Sequence, residues 1–426
     1  MKMKKLVGGL NKLQIIIFYF FLLFFKSIQA TQIYDFQTEE FIKRINSLII
    51  SVNSFDKNIP FKIINDDFPN AYVTENNTIY LSSGLIVHSP DYVSLLGVLA
   101  HEVGHIENYH IKKRKKEIND LKNINSLGNF ASLIGSMIIK EPGLLNAIVV
   151  NETTINNLYI NFSQEQEIEA DMYAIKTINR LNLPTDSIKE FLILLEKKTK
   201  FNLIDSELRK FSTHPIFEKR HEIVEFESNL VATNFNKKLQ DDFEFIKVKF
   251  MAYTNIGNSK KLKGDLKTYH DAIQYSKTGN LYKSLRNINS LIEKKNNNFL
   301  LETKADILLS YGYKNEAIKF YKKILETQPN NNYAQYNIFT NIDFEKKNFS
   351  QNKDIFLKNL HLIDLFPKDH SLLRQYYHLS DILDFKEWEL FFEIILLNKN
   401  YSKEKLSNLQ KNTKDNNLKK SIKIYN

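Results

Sequence analysis

Between Leu95 and His110 the chain reads LLGVLAHEVGHIENYH, and the pair His101 and His105 restricts the fold more than any other feature. On an α-helix, residues four apart share a face, one turn of about 5.4 Å from each other. Two imidazoles so placed can each aim a ring nitrogen at one Zn2+ at about 2.0–2.1 Å. Glu102 is rotated off that axis, which suits it to a water molecule rather than to the metal. Leu95, Leu96, Leu99 and Val103 give the helix an apolar face, and Gly104 leaves room for another element to pack closely. Such a helix has to be buried, and a further ligand has to come from elsewhere in the chain.

The chain contains no Cys, so no disulfide and no thiolate ligand is available. A third ligand is therefore His, Glu or Asp. The segment SQEQEIEADMYAIK supplies Glu167 and Asp171, again four apart and on one helical face. The preferred reading makes Glu167 the ligand and Asp171 the acceptor for the free N–H of a ligating histidine, which fixes that ring's tautomer. An ordinary charged helix has the same letters; the HExxH motif favours the metal reading. Glu165 and Glu169 fall off that face and read as solvent carboxylates. His88 and His110 read as surface or packing residues.

The length of 426 residues suggests two domains plus processing segments. The formal charge is +10, but Lys2, Lys4, Lys5, Lys12 and Lys26 crowd the first 26 residues, and the remainder carries +5. That balance gives no reason to expect a nucleic-acid partner. The leading lysines, the uncharged run Leu13–Phe25 and Ala30 at a cleavage position read as a secretory signal peptide over residues 1–30. The apolar run is shorter than the roughly 20 residues of a membrane span. The alternative is an uncleaved anchor over residues 13–25.

Residues 31–255 are expected to form an α+β domain. A helical stripe (Phe41, Ile45, Leu48, Ile49) has Thr38 as its expected N-cap. FKIIND, NAYVTE and NTIYLSSG read as a small antiparallel sheet with a hairpin turn at Asn76–Asn77. Ser89-Pro90-Asp91 marks the start of the motif helix, with Ser89 as cap. The basic run IKKRKKEINDLK reads as a solvated face, and residues 124–150 as a buried or groove-lining apolar hairpin. Residues 256–426 change character to all-α. Ala272 and Ala305, Gly279 and Gly312, and Leu291 and Ile324 each keep a spacing of 33, and Ala317, Tyr321 and Pro329 fit a tetratricopeptide-like repeat. The Lys- and Asn-rich tail from Asn408 is expected to fray.

With NAYVTENNTIYLSSGLI, LLGVLAHEVGHIENYH, SQEQEIEAD and STHPIFEKRHEIV in order, the chain resembles the HtpX/CAAX-prenyl-protease class of zinc peptidases. Within that class it looks most like the periplasmic BepA-type proteins, which join the peptidase domain to tetratricopeptide repeats. The resemblance implies one zinc held by His101, His105 and Glu167, with Glu102 as general base. It also brings in His214-Pro215 and Arg220, for gating of the metal site and transition-state stabilisation, and Asn70-Ala71 as the edge strand on which a substrate lies extended. The blander alternative has His214 capping a loop and Arg220 pairing with a surface carboxylate such as Glu222. The function implied is a periplasmic zinc endopeptidase acting on unfolded or misassembled outer-membrane proteins, with the outer-membrane assembly machinery as partner. The alternative is a catalytically latent or silent chaperone-like assembly factor.

Overall fold

The computed structural model describes residues 32–53, 59–74, 76–110, 112–113, 164–201, 220, 222, 234–295, 297–397 and 403–425. The leader expected over 1–30, the apolar stretch 124–150 and the His214-Pro215 turn lie outside the described residues. No helix among those described is long and apolar enough to cross a membrane.

The N-terminal half is built on a four-stranded sheet of order β1-β2-β4-β3, with β1 Gln32–Ile33, β2 Phe61–Ile64, β3 Ala71–Val73 and β4 Ile79–Ser82. The sheet is mixed rather than antiparallel. β2 and β4 run parallel in the centre, from Phe61 opposite Ile79 to Ile64 opposite Ser82, while β1 and β3 pair antiparallel at the two edges. The hairpin explains the difference: its turn closes through Asn77 N–H to Thr74 C=O, with Asn77 at φ 60°, and the returning β4 inserts between β3 and β2. Strands adjacent in space are therefore not adjacent in sequence. β1 has only two residues, too few for a recognisable alternation.

Helix α1 (Phe36–Asn53) buries Phe41, Ile42, Ile45 and Ile49. Asp35 caps it, accepting from the Thr38 N–H at 2.9 Å, so the helix begins before Thr38. After α2 (Ser83–His88), the motif helix α3 runs from Tyr92 to Glu107. Its cap is Asp91, in a reciprocal arrangement with Ser94; Ser89 instead closes α2, its hydroxyl donating to the Leu85 carbonyl. Against α3 lie α4 (Gln164–Arg180) and α5 (Asp186–Phe201), and α6 (Lys237–Thr254) leads onward. One apolar core gathers α1, the inner face of the sheet, α3 and α4, with Leu96, Leu99, Ala100 and Val103 fully buried. Each buried leucine contributes about 1.5–3 kcal/mol. Several of them together offset the several kcal/mol that desolvating an ionised side chain on the same helix costs.

The second half is helical: α7 (Gly264–Lys277), α8 (Leu281–Lys294), α9 (Asn298–Ser310), α10 (Lys314–Thr327), α11 (Asn332–Asn341), α12 (Phe349–Asn359), α13 (His361–Leu365), α14 (His370–Ile382) and α15 (Lys386–Leu397). The hairpins α7–α8 and α9–α10 turn at Gly279 and Gly312, each at φ +83°, a conformation L side chains rarely adopt. Ala272, Ala305, Ala317 and Tyr321 are fully buried between the paired helices. The tail is not frayed: α16 (Lys403–Asn412) and α17 (Asn416–Lys423) bury Leu406, Leu409, Leu418 and Ile422. Their leucine spacing, and the Trp388 indole donating to Asp415 at 2.8 Å, outweigh a polar composition.

The two halves meet at the start of α1. Lys249 of α6 pairs with Asp35 at 2.6 Å and with Glu302 of α9 at 3.0 Å, all three buried. Gln37 donates to Glu302 and to Gln328, and Tyr34 packs edge-on against Phe366 at 4.8 Å. A cavity of about 610 Å³ opens beside this junction, with Asp35, Lys249, Tyr253 and Asp306 in its wall.

Candidate metal centre

His101 and His105 project from the last two turns of α3 towards α4, where Glu167 stands in the first turn. All three are buried, His105 and Glu167 completely. His101 Nε2 and His105 Nε2 are 3.1 Å apart; Glu167 Oε2 is 3.4 Å from the first, and Oε1 is 3.5 Å from the second. A tetrahedral ion with bonds of about 2.0–2.1 Å needs its donors about 3.3 Å apart. The three side chains are therefore spaced like three corners around one small cation. They are the one His/Asp/Glu group among the described residues with metal-binding spacing. Two nitrogens and a carboxylate oxygen suit zinc, and three protein ligands leave a position for substrate.

The approach of the two helices depends on Gly104. A Cβ there would sit 3.1 Å from the Ala170 Cα and 3.1 Å from the Tyr173 Cβ, so a side chain would push α4, and Glu167 with it, off the histidines. A glycine inside a helix costs up to about 1 kcal/mol relative to alanine; here it permits the contact.

Around these donors the carboxylates are held in turn. Asp171 Oδ1 lies 2.8 Å from His101 Nδ1, leaving Nε2 for the metal side. Arg220 grips the same carboxylate with two N–H groups, Nε to Oδ2 at 2.6 Å and Nη2 to Oδ1 at 2.8 Å, and its Nη1 lies 3.1 Å from Glu167 Oε2. Burial alone would raise the Asp171 carboxyl pKa, but Arg220, followed by His101, holds it below the ordinary carboxylate value. Burial would likewise lower the guanidinium, and Asp171 and Glu167 reverse that. Arg220 is thus seated on the carboxylates of α4, inside the site and away from Glu222, which lies on the exposed surface. Glu102 is 1% exposed on α3, close enough for its charge to act on Arg220.

Two readings of the sequence change. His110 is neither on the surface nor merely packed: fully buried, it holds His105 Nδ1 at 2.9 Å through its own Nδ1. Glu169 is half exposed, yet its Oε2 takes up His110 Nε2 at 2.9 Å. His110 follows His105 by five positions, which on a continuous helix would set them on different faces, so helical spacing hid the pair. Asn108, a residue that favours helix ends, carried the signal that the helix stops first. Asn70 and Ala71 lie at the start of β3, the edge strand packed beside α3; both backbone polar groups of Asn70 are taken by Ser82, its N–H by the hydroxyl and its C=O by the N–H.

A family model described as Peptidase family M48 matches residues 36–226, which include every residue of this centre. Residues 36–226, a little under half of the chain, are thus similar to peptidase family M48. Among curated proteins, the chain is 24% identical over 192 residues to the beta-barrel assembly-enhancing protease of Yersinia pestis, covering 45% of this chain and 39% of that protein. It is 22% identical over 297 residues to the beta-barrel assembly-enhancing protease of Escherichia coli strain K12, covering 66% of this chain and 60% of that one. The chain thus spans between about two fifths and three fifths of the length of these relatives. Within the matched region the donors come from α3 and α4, and Arg220 lies just before that region ends.

Proposed function

We propose that this chain is an exported zinc endopeptidase that hydrolyses peptide bonds of unfolded or misassembled outer-membrane proteins in the periplasm, its helical half recruiting substrate or the outer-membrane assembly machinery. The observation that carries the reading is the convergence of His101 Nε2, His105 Nε2 and the Glu167 carboxylate at cation spacing in a region similar to peptidase family M48. The names of the relatives, beta-barrel assembly-enhancing proteases, support the substrate class. The basic, then apolar, first 30 residues support export.

When bound at His101, His105 and Glu167, zinc supplies a Lewis acid for the scissile carbonyl and lowers the pKa of water towards neutrality. Glu102 accepts the proton of the attacking water on its carboxylate and passes it to the leaving amine. Asp171 keeps His101 in the tautomer that presents Nε2, and Arg220 holds Asp171 below its ordinary carboxylate pKa and pairs with Glu167. The outer edge of β3 offers an extended peptide main-chain hydrogen bonds with little sequence preference. His214 serves either as a gate to the centre or as a donor to the developing oxyanion.

The test compares wild type with Glu102→Gln. The variant is expected to retain zinc and lose cleavage of an unfolded outer-membrane protein by about 10²–10⁴-fold, the usual contribution of a general base. Retained cleavage overturns the mechanism. Rescue of outer-membrane assembly by the inactive variant in cells would instead favour the chaperone-like reading.

A further inference from the structure

Both metal-facing histidines leave α3, but α4 supports them differently. His101 Nδ1 meets the Asp171 carboxylate directly at 2.8 Å, whereas His105 Nδ1 meets another imidazole, that of His110. His110 in turn reaches Glu169, two residues after Glu167 and two before Asp171. We infer that His110 is a positioning residue for the metal centre, an imidazole spacer that links His105 to the carboxylate of Glu169. The inference rests on the zinc reading above.

The order of protons in the chain follows from elementary chemistry. His105 Nε2 lies 3.1 Å from His101 Nε2 and 3.5 Å from Glu167 Oε1, so Nε2 is the metal side. A neutral ligating imidazole then carries its proton on Nδ1 and donates it. His110 Nδ1 must accept that bond, which leaves the His110 proton on Nε2, where it donates to the Glu169 carboxylate. Each proton has one donor and one acceptor, and the chain ends on the acid. Every link has the same direction as the His101 to Asp171 bond, so both ligands become better electron donors to the cation.

The backbone has been bent to make this possible. Helix α3 stops at Glu107, Asn108 caps it, and Tyr109 takes φ 55°, a left-handed value rare for a non-glycine residue. That single turn carries His110 back beneath His105 into complete burial, while the Tyr109 ring stays half exposed. A left-handed φ at a bulky residue is strained, and here it sits between the two linked histidines. Glu169 is about half exposed, so the chain of bonds runs from the solvent-facing carboxylate through the buried imidazole to His105. The carboxylates at 167, 169 and 171 on α4 thus hold, in turn, the cation, the His105 side and the His101 side.

The test measures zinc dissociation constants by chelator competition for wild type, His110→Leu, His110→Gln and Glu169→Ala, with thermal unfolding of each metal-free protein as the folding control. Leucine removes both bonds; glutamine restores an acceptor and a donor in the same order. The expected result is zinc affinity lowered about 10–100-fold in His110→Leu and less in Glu169→Ala, with glutamine recovering most of the loss. In the same proteins the ring-nitrogen chemical shifts of His105 should report a proton on Nδ1 in wild type and an altered tautomer balance in His110→Leu. Equal zinc affinity in wild type and His110→Leu, or a glutamine variant as weak as leucine, overturns the inference. If His110→Leu does not fold, Glu169→Ala decides it alone: unchanged affinity there overturns the inference. Wild type that binds no zinc overturns the functional reading itself, a separate outcome.

Discussion

Two buried ionic clusters, one in each working part of the molecule, solve the same problem in opposite ways. At the metal centre Glu102, Glu167 and Asp171 face, among the described residues, the guanidinium of Arg220. At the junction of the two halves Asp35 and Glu302 face Lys249. Both hold more acid than base in surroundings where an unpaired charge costs several kcal/mol. The junction resolves the excess internally: burial, reinforced by the charge of Asp35, pushes the Glu302 carboxyl up to about 7, while Lys249 holds Asp35 below its ordinary value against its own burial. The metal centre instead sets His101, His105 and Glu167 at the spacing of a bound cation. One cluster clasps the two halves together, and the other presents a candidate set of ligands.

The comparison can be broken most sharply at the two basic residues. Arg220→Met strips the guanidinium from Asp171 and Glu167, and the metal-free protein should lose about 3–5 kcal/mol of stability by denaturant unfolding. Added zinc should return part of that loss, because the incoming cation faces the same carboxylates; no recovery with zinc would mean that the cluster is not built for a cation. Lys249→Met should cost less, roughly 1–3 kcal/mol, since Glu302 can hold a proton and Gln37 still donates to it. Zinc should not alter that loss, and an equal zinc response in both variants would erase the distinction.

The smallest effect is in pH. Glu302 has a folded pKa near 7 against about 4.5 unfolded, so between those values the folded chain keeps a proton that the unfolded chain releases. Its contribution to stability is complete below about pH 4.5, declines as pH rises towards 7, and is gone above it. Melting temperature should therefore fall across that window by a few degrees less in Glu302→Gln than in wild type. An unchanged slope would mean that Glu302 is ionised throughout.

Helix α1 ties the clusters together physically. Its first residues enter the clasp, while its last turn meets α4, Asn53 donating to Thr177 and Arg180 to the Val52 carbonyl. The helical half is thereby connected through one helix to the element that carries Glu167, Glu169 and Asp171.

The letters of the chain already contained His101, Glu102, His105, Glu167 and Asp171, because helical spacing of three and four residues is local and survives in one dimension. The hairpin glycines Gly279 and Gly312 and the buried alanines of the second half were legible for the same reason. What escaped is everything that needs a non-local or bent path. The parallel pairing of β2 with β4 depends on where a hairpin inserts. The order in the tail depends on a tryptophan reaching an aspartate in a later helix turn. The clasp joins residues as far apart as Asp35 and Glu302. His110 depends on one left-handed residue, which redirects the chain after the helix pattern has ended. Sequence by itself determined which helices carry the candidate ligands, since periodic side chains fix a face. Only the tertiary structure decided which imidazole supports which ligand, since that follows from how two helices close over Gly104 and where the backbone turns back.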